Sequence, residues 1–204
     1  MAASSNCKES QLRFAGSAAI IGGLLMGANW IWQGYLDMTP GADSILHDTN
    51  HFAYYLNNLM LLVSSWLLLH GLFCFRNQDP SAGGWNWKIG FFLSALGLGL
   101  FGIGTAGFLF HGLIGFGALL DFINISTGIG SIAIHLGALP LGYAILYHTS
   151  TPRYSSLLFI LQTPIVIVYL FGLVPLNPLL AGILIGGLYG GAWIIIGYYL
   201  RRYI

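Results

Sequence analysis

The chain has 204 residues, 56% of them hydrophobic and only 6% charged, with a formal net charge of +1. A soluble domain carries about 25% charged residues, so this composition excludes one and leaves a membrane-embedded protein. The near-zero balance offers no nucleic-acid partner, and the two cysteines, Cys7 and Cys74, form no CxxC pair that would support thiol redox chemistry.

A membrane-crossing helix needs about 20 mostly apolar residues. Six runs qualify, at about 14–35, 52–75, 89–111, 122–148, 155–174 and 178–200. The first follows Lys8 and Arg13 as a signal peptide would. It is longer than one, however, and ends in the cluster Trp30, Ile31, Trp32, Gln33, Gly34, Tyr35, the aromatic signature of a membrane interface, which predicts a retained helix. A polar loop from Asp37 to Asn50 leads to the second run, which ends at Arg76. The loop that follows carries Asp79, Pro80, Gly83 and Gly84. The third run reaches His111, and an apolar link from Gly112 to Leu120 leads to Asp121. The fourth ends at His148, close to Arg153. The fifth and sixth form a hairpin around Pro175, Asn177 and Pro178, and the sixth ends at Arg201 and Arg202. Pro140 and Pro164 are expected to kink the fourth and fifth helices, because proline removes an N–H and clashes with the preceding turn.

Threaded alternately across a bilayer, these runs put all seven Lys and Arg residues on one side. The opposite side receives Asp37, Asp43, Asp48 and Asp121 and no base. Cytoplasmic loops carry the basic excess, so both termini are expected in the cytoplasm. The predicted fold is all-α: a polytopic membrane protein, one domain over residues 1–204, with six transmembrane helices in a lipid bilayer, here assigned to a bacterial inner membrane. Gly182, Gly186 and Gly190, flanked by Gly187 and Gly191, form a stripe that suits close packing. The contact is either with a neighbouring helix or with another subunit, as in a homo-oligomer or a larger membrane complex.

Two helices bear polar stripes at helical spacing. On the second these are Asp48, His51, Tyr55, Asn58 and Ser65; on the fourth, Asp121, Asn124, Gly128, Ser131 and His135. The third adds Thr105 and His111. Polar groups in hydrocarbon need partners, so the stripes should face the interior, either as interhelical hydrogen bonds or around a cavity. A rise of about 1.5 Å per residue sorts them into layers. His51, His111 and Asp121, with His47 and Asp48, fall at the outer mouth. Asn58, Thr105, Asn124 and Thr127 form a middle layer, and Ser65 and His135 meet near the bilayer centre, where a hydrogen bond between them is expected. Asn58, Thr105, Asn124, Ser65 and His135 are thus the candidate ligand-binding residues. His51, His111 and Asp121 are the candidate ligands of a metal such as zinc, or groups for acid–base chemistry. Haem or chlorin ligation by a histidine is a third alternative.

Two resemblances add to this. The stretches "LRFAGSAAIIGGLL", "GLFCFRNQ", "KIGFFLSALGLGLFG", "LGALPLGYAILYHTSTPRYSSLLFIL" and "GAWIIIGYYLRR" are similar to small six-helix integral membrane proteins of bacteria, which implies an architecture and no activity. "YYLNNLMLLVSS", "GTAGFLFHGL" and the "LLD" that follows resemble the alkaline ceramidase superfamily of membrane hydrolases. That resemblance implies His111 as a zinc ligand and Asp121 as a catalytic residue. The chain departs from the family in having Gly107 where its serine stands and in lacking a late HxxxH. The expected function is a membrane protein whose outer polar cavity binds a small ligand or ion, or an accessory subunit of a larger complex. The alternatives are a zinc-dependent hydrolase of lipid amides and a haem- or chlorin-binding electron-transfer subunit.

Overall fold

The computed structural model describes residues 2–39, 41, 43–78, 84–115, 117–148 and 152–202, and almost all of these are helical. Six α-helices run Ala2–Asp37 (α1), Phe52–Gln78 (α2), Trp85–Ile114 (α3), Leu120–His148 (α4), Arg153–Leu170 (α5) and Pro178–Arg202 (α6). All six are long and apolar enough to cross a membrane, and no strand occurs among the described residues. The protein is a multi-pass helical bundle. The loop residues Asp79, Pro80 and Gly83 lie outside the described residues.

Helix ends differ from the apolar runs where glycine intervenes. Hydrophobicity continues to Val174, yet α5 stops at Leu170. Gly172 takes a left-handed φ of 61°, and the Leu173 N–H turns back to the Val168 carbonyl at 3.0 Å, satisfying a carbonyl that the helix has left open. Helix α3 closes in the same way on Gly115, at φ 68°, whose N–H bonds the His111 carbonyl at 2.8 Å. Pro140 and Pro164 lie within α4 and α5, and both helices continue through them.

Each helix packs antiparallel on its neighbours in sequence, and α6 returns to α1, which closes a six-membered ring. Leu68, Leu98, Phe159, Tyr189 and Trp193 fill its centre, each no more than 2% exposed. The outer surface is apolar, with Phe92, Phe110, Ile125 and Leu161 exposed, as a lipid-facing surface requires. Helix order gathers Arg13, Arg76, Lys88, Arg153, Arg201 and Arg202 at one end of the ring. The other is the base-free end.

The two closest pairings, α1 with α6 and α3 with α4, are built on glycine. A Cβ placed on Gly23 would come within 2.7 Å of the Gly190 carbonyl oxygen, and one on Gly186 within 2.6 Å of the Gly27 oxygen. Gly90, Gly97 and Gly104 recur every seven residues on α3, two helical turns apart, and face Leu141, Ile134 and Thr127 of α4. Apolar side chains gain nothing by leaving lipid for a helix interface, so close backbone packing is what such seams have to offer. The Gly182–Gly186–Gly190 stripe is therefore taken up inside the chain against α1, while Gly187 points to open space.

This contrast yields a prediction. Gly190→Ala sets a Cβ 2.5 Å from the Gly23 carbonyl oxygen, and backbone must move to admit it. The substitution should destabilise the bundle by about 1–3 kcal/mol in SDS titration followed by circular dichroism. Gly187→Ala, with nothing near its Cβ, should be neutral or slightly stabilising. Equal stabilities of the two variants would remove the seam from the account.

Candidate functional site

Between α1, α2, α3 and α4, towards the base-free end, lies a cavity of about 420 Å³. Helical rise orders its lining by depth. Asp37 and His47, both exposed, stand at the mouth. One turn below Asp37 is Gln33, and about 10 Å below it is Trp30. Helix α2 contributes Tyr54, Asn57 and Asn58, then Leu61. Helix α3 lines the opposite wall with Thr105 and Phe108 above Phe101, and α4 with Thr127, Gly128 and Ser131. The cavity thus passes from charged through amide and hydroxyl to aromatic.

Three amides tie α1 to α2. Asn29 Nδ2 donates to Asn57 Oδ1 at 2.9 Å, and Gln33 Nε2 donates to Asn29 Oδ1 at 2.7 Å and Asn57 Oδ1 at 3.1 Å. Asn58 Nδ2 donates to the Tyr54 carbonyl at 2.9 Å. Hydroxyl hydrogens are spent on backbone carbonyls: Tyr54 on Phe108 at 2.6 Å, Thr105 on Gly102 at 3.1 Å and Thr127 on Ile123 at 2.9 Å. Each of these hydroxyl oxygens keeps acceptor capacity, and each amide exceeds in donors and acceptors what the network uses. The wall can accept and donate hydrogen bonds. It bears one carboxylate and no Lys or Arg.

The expected residues divide between cavity and structure. Asn58, Thr105 and Thr127 meet around the cavity as the middle layer predicts. Asn124, assigned to the same layer, is exposed and does not line the cavity. Gly128 and Ser131, further along the same stripe of α4, do line it. Ser65 is buried and donates to the Leu61 carbonyl of its own helix at 2.6 Å. It does not meet His135, because α4 neighbours α3 and α5, whereas α2 lies between α1 and α3. The Gln162 amide on α5 takes the imidazole instead; an amide nitrogen only donates, so His135 Nδ1 accepts. Thr163 Oγ1 donates to the His135 carbonyl at 3.0 Å, and the imidazole ring lies edge-on to Trp30 and Tyr189.

Of the mouth histidines, His51 serves a local end. His51 Nδ1 accepts the Ala53 N–H at 3.1 Å and so caps the start of α2. Asp121 is exposed in the first turn of α4, where a carboxylate complements the positive end of the helix dipole. His111 is half-buried near the end of α3. Among the described residues no three His, Cys, Asp or Glu side chains come together as a metal set, and that includes His51, His111 and Asp121.

Asn29, Gln33, Asn57 and Gln162 were not singled out from the sequence. Asn29 and Gln33 lie four residues apart, one face of a helix, inside what reads as an interfacial aromatic cluster. Asn57 is one residue off the polar stripe of α2 because it faces α1 instead. Gln162 carried the clearest signal, a full amide within an apolar run that must find a partner. Comparison with protein-family models, with curated proteins and with solved structures finds no match to this chain.

Asn57→Leu removes the acceptor of two bonds and leaves the Nδ2 group of fully buried Asn29 nearly stranded, with only the residue-57 backbone carbonyl at 3.5 Å. A loss of about 1–3 kcal/mol is expected in the same SDS titration. Adding Asn29→Leu should recover part of that loss, since the stranded donor is then gone. Strictly additive losses would show that the two amides do not act together.

Proposed function

We propose that this membrane protein captures a small uncharged or cationic ligand in the cavity at its base-free end, and that this end faces out of the cytoplasm. Basic residues mark the cytoplasmic side of membrane proteins, and here they gather at the opposite end of the ring. The carrying observation is the cavity wall: amides and hydroxyls from four helices around about 420 Å³, with no Lys or Arg and His47 only at the mouth. That volume lies in the range of small-molecule sites, roughly 300–1,000 Å³. An anion would meet Asp37 at the mouth and no cationic partner within, and burying an unpaired charge costs several kcal/mol. A neutral molecule with hydroxyl or carbonyl groups would instead exchange water for Gln33, Asn57 and Asn58. The aromatic floor of Trp30 and Phe101 offers contact to an apolar part of the same molecule.

The test is a thermal-shift screen of the purified protein in nanodiscs against neutral, cationic and anionic small molecules. Neutral or cationic members should raise the melting temperature, and anionic ones should not. Gln33→Leu should weaken a neutral hit about 5–10-fold, the value of one hydrogen bond. Asp37→Asn should weaken cationic hits more than neutral ones. A screen in which only anions stabilise the protein would sink the proposal. Orientation is checked separately by labelling Thr39→Cys in whole cells with an impermeant maleimide, which should react.

A further inference from the structure

We propose that the ligand of this cavity is a single-chain membrane amphiphile with an uncharged, hydrogen-bonding head, and that it enters sideways from the bilayer between α4 and α5, past Gly128 and Ser131. The inference rests on the proposed ligand-binding cavity and names what fills it.

A second space lies beside the first. Between α4 and α5 the lipid-facing surface holds an apolar groove of about 510 Å³, lined by Ile132, Leu136, Val166, Ile167 and Leu170. It runs from Phe171, at the base-free end of α5, to Thr163, about 12 Å deeper along that helix. Gly128 and Ser131 belong to the walls of both spaces. Deeper down, Trp30 lines the cavity and His135 the groove, and their ring centroids are 5.6 Å apart. Gly128 leaves room on this shared wall: the residue is exposed, and a Cβ there would meet nothing within 4 Å.

An amphiphile matches both sides. Its head would take hydrogen bonds from the amides, and its chain would lie along Ile132, Leu136 and Val166. The chain gains no hydrophobic free energy, since it leaves one apolar surroundings for another. Affinity therefore resides in the head, and the groove lets the head be bound without extracting the chain from the membrane. Neither space has a Lys or Arg, which argues against a phosphate or carboxylate head. The fit is to a glycerol-, amide- or carbonyl-type head. A third space of about 500 Å³, around Trp66, Ile103 and Phe122, is also apolar but shares no residue with the cavity. It serves as an internal control.

The experiment uses the full chain in phosphatidylcholine nanodiscs, with Cys7 and Cys74 replaced by serine and Ser131→Cys as reporter. A water-soluble methanethiosulfonate reaches the reporter through the cavity and converts its thiol to a mixed disulfide, releasing methanesulfinate, and the probe is monoolein against glycerol at equal concentration. Monoolein should slow this modification several-fold and glycerol should not, and Gly128→Leu should abolish the protection by filling the space beside it. A monoacylglycerol with a mid-chain diazirine should crosslink to Ile132, Leu136 or Val166 in preference to Ile103 or Phe122. Equal protection by glycerol, protection that survives Gly128→Leu, or crosslinks spread evenly over the two grooves would overturn the inference and leave the cavity as a ligand site. Failure of the reagent to reach Ser131→Cys at all would overturn the cavity reading as well.

Discussion

Close backbone contact through glycine is the constraint on which this bundle depends. In water a helix pair gains stability by burying apolar surface, but in lipid that gain vanishes and packing must replace it. The α1–α6 and α3–α4 seams supply it by stacking carbonyl groups against Gly23, Gly27, Gly186 and Gly190 in one case and backbone nitrogens against Gly97 and Gly130 in the other. Two tight pairs result, joined by α2 on one side and α5 on the other through looser boundaries. The polar cavity and the α4–α5 groove border those boundaries. The polar cavity opens where α2 bridges the pairs, and the apolar groove where α5 does. Rigidity and vacancy are complementary products of where glycine was placed.

The looser boundaries are held by polar groups. Asn29, Gln33 and Asn57 join α1 to α2, the Tyr54 and Tyr55 hydroxyls join α2 to α3, and Gln162 and Thr163 join α5 to α4 at His135. Each is a hydrogen bond in a medium with few competing partners, so it locates one helix against another more sharply than apolar contact does. The amide cluster and the His135 group also flank the cavity and the groove. Polar groups that define helix position are thus the ones left to meet a ligand.

The helices were legible in the sequence because a run of about 20 apolar residues has few alternatives to crossing a membrane. The end of α5 was less so: hydropathy is blind to the left-handed turn at Gly172. Polar stripes told which residues share a helix face and left open what the face meets. On α2 the face of Asn58 does meet the cavity, whereas on α4 Gly128 and Ser131 line it and Asn124 of the same stripe does not. The same limit separated Ser65 from His135. Equal depth brings two residues to one layer, but contact also requires adjacent helices, and ring order is a property of the whole assembly. His51 and Asp121 show a further reason. Residues suited to a metal are also suited to capping helix ends, and a helix terminus is a nearer demand than a shared ion.

Charge segregation links topology to chemistry. The bases gather at one end of the ring, and the cavity lies at the other, so its polar wall is made of Asp37, His47, amides and hydroxyls, with no Lys or Arg. A chain that keeps bases off one face in order to fix its orientation also deprives any site on that face of the groups that bind anions. Such a site must work through hydrogen bonds and shape. Amides suit that role, because they both donate and accept while adding no charge for the bilayer to oppose. The proposed side entry past Gly128 follows the same logic, since a neutral head is the kind that can pass a wall bordered by hydrocarbon without a large desolvation cost.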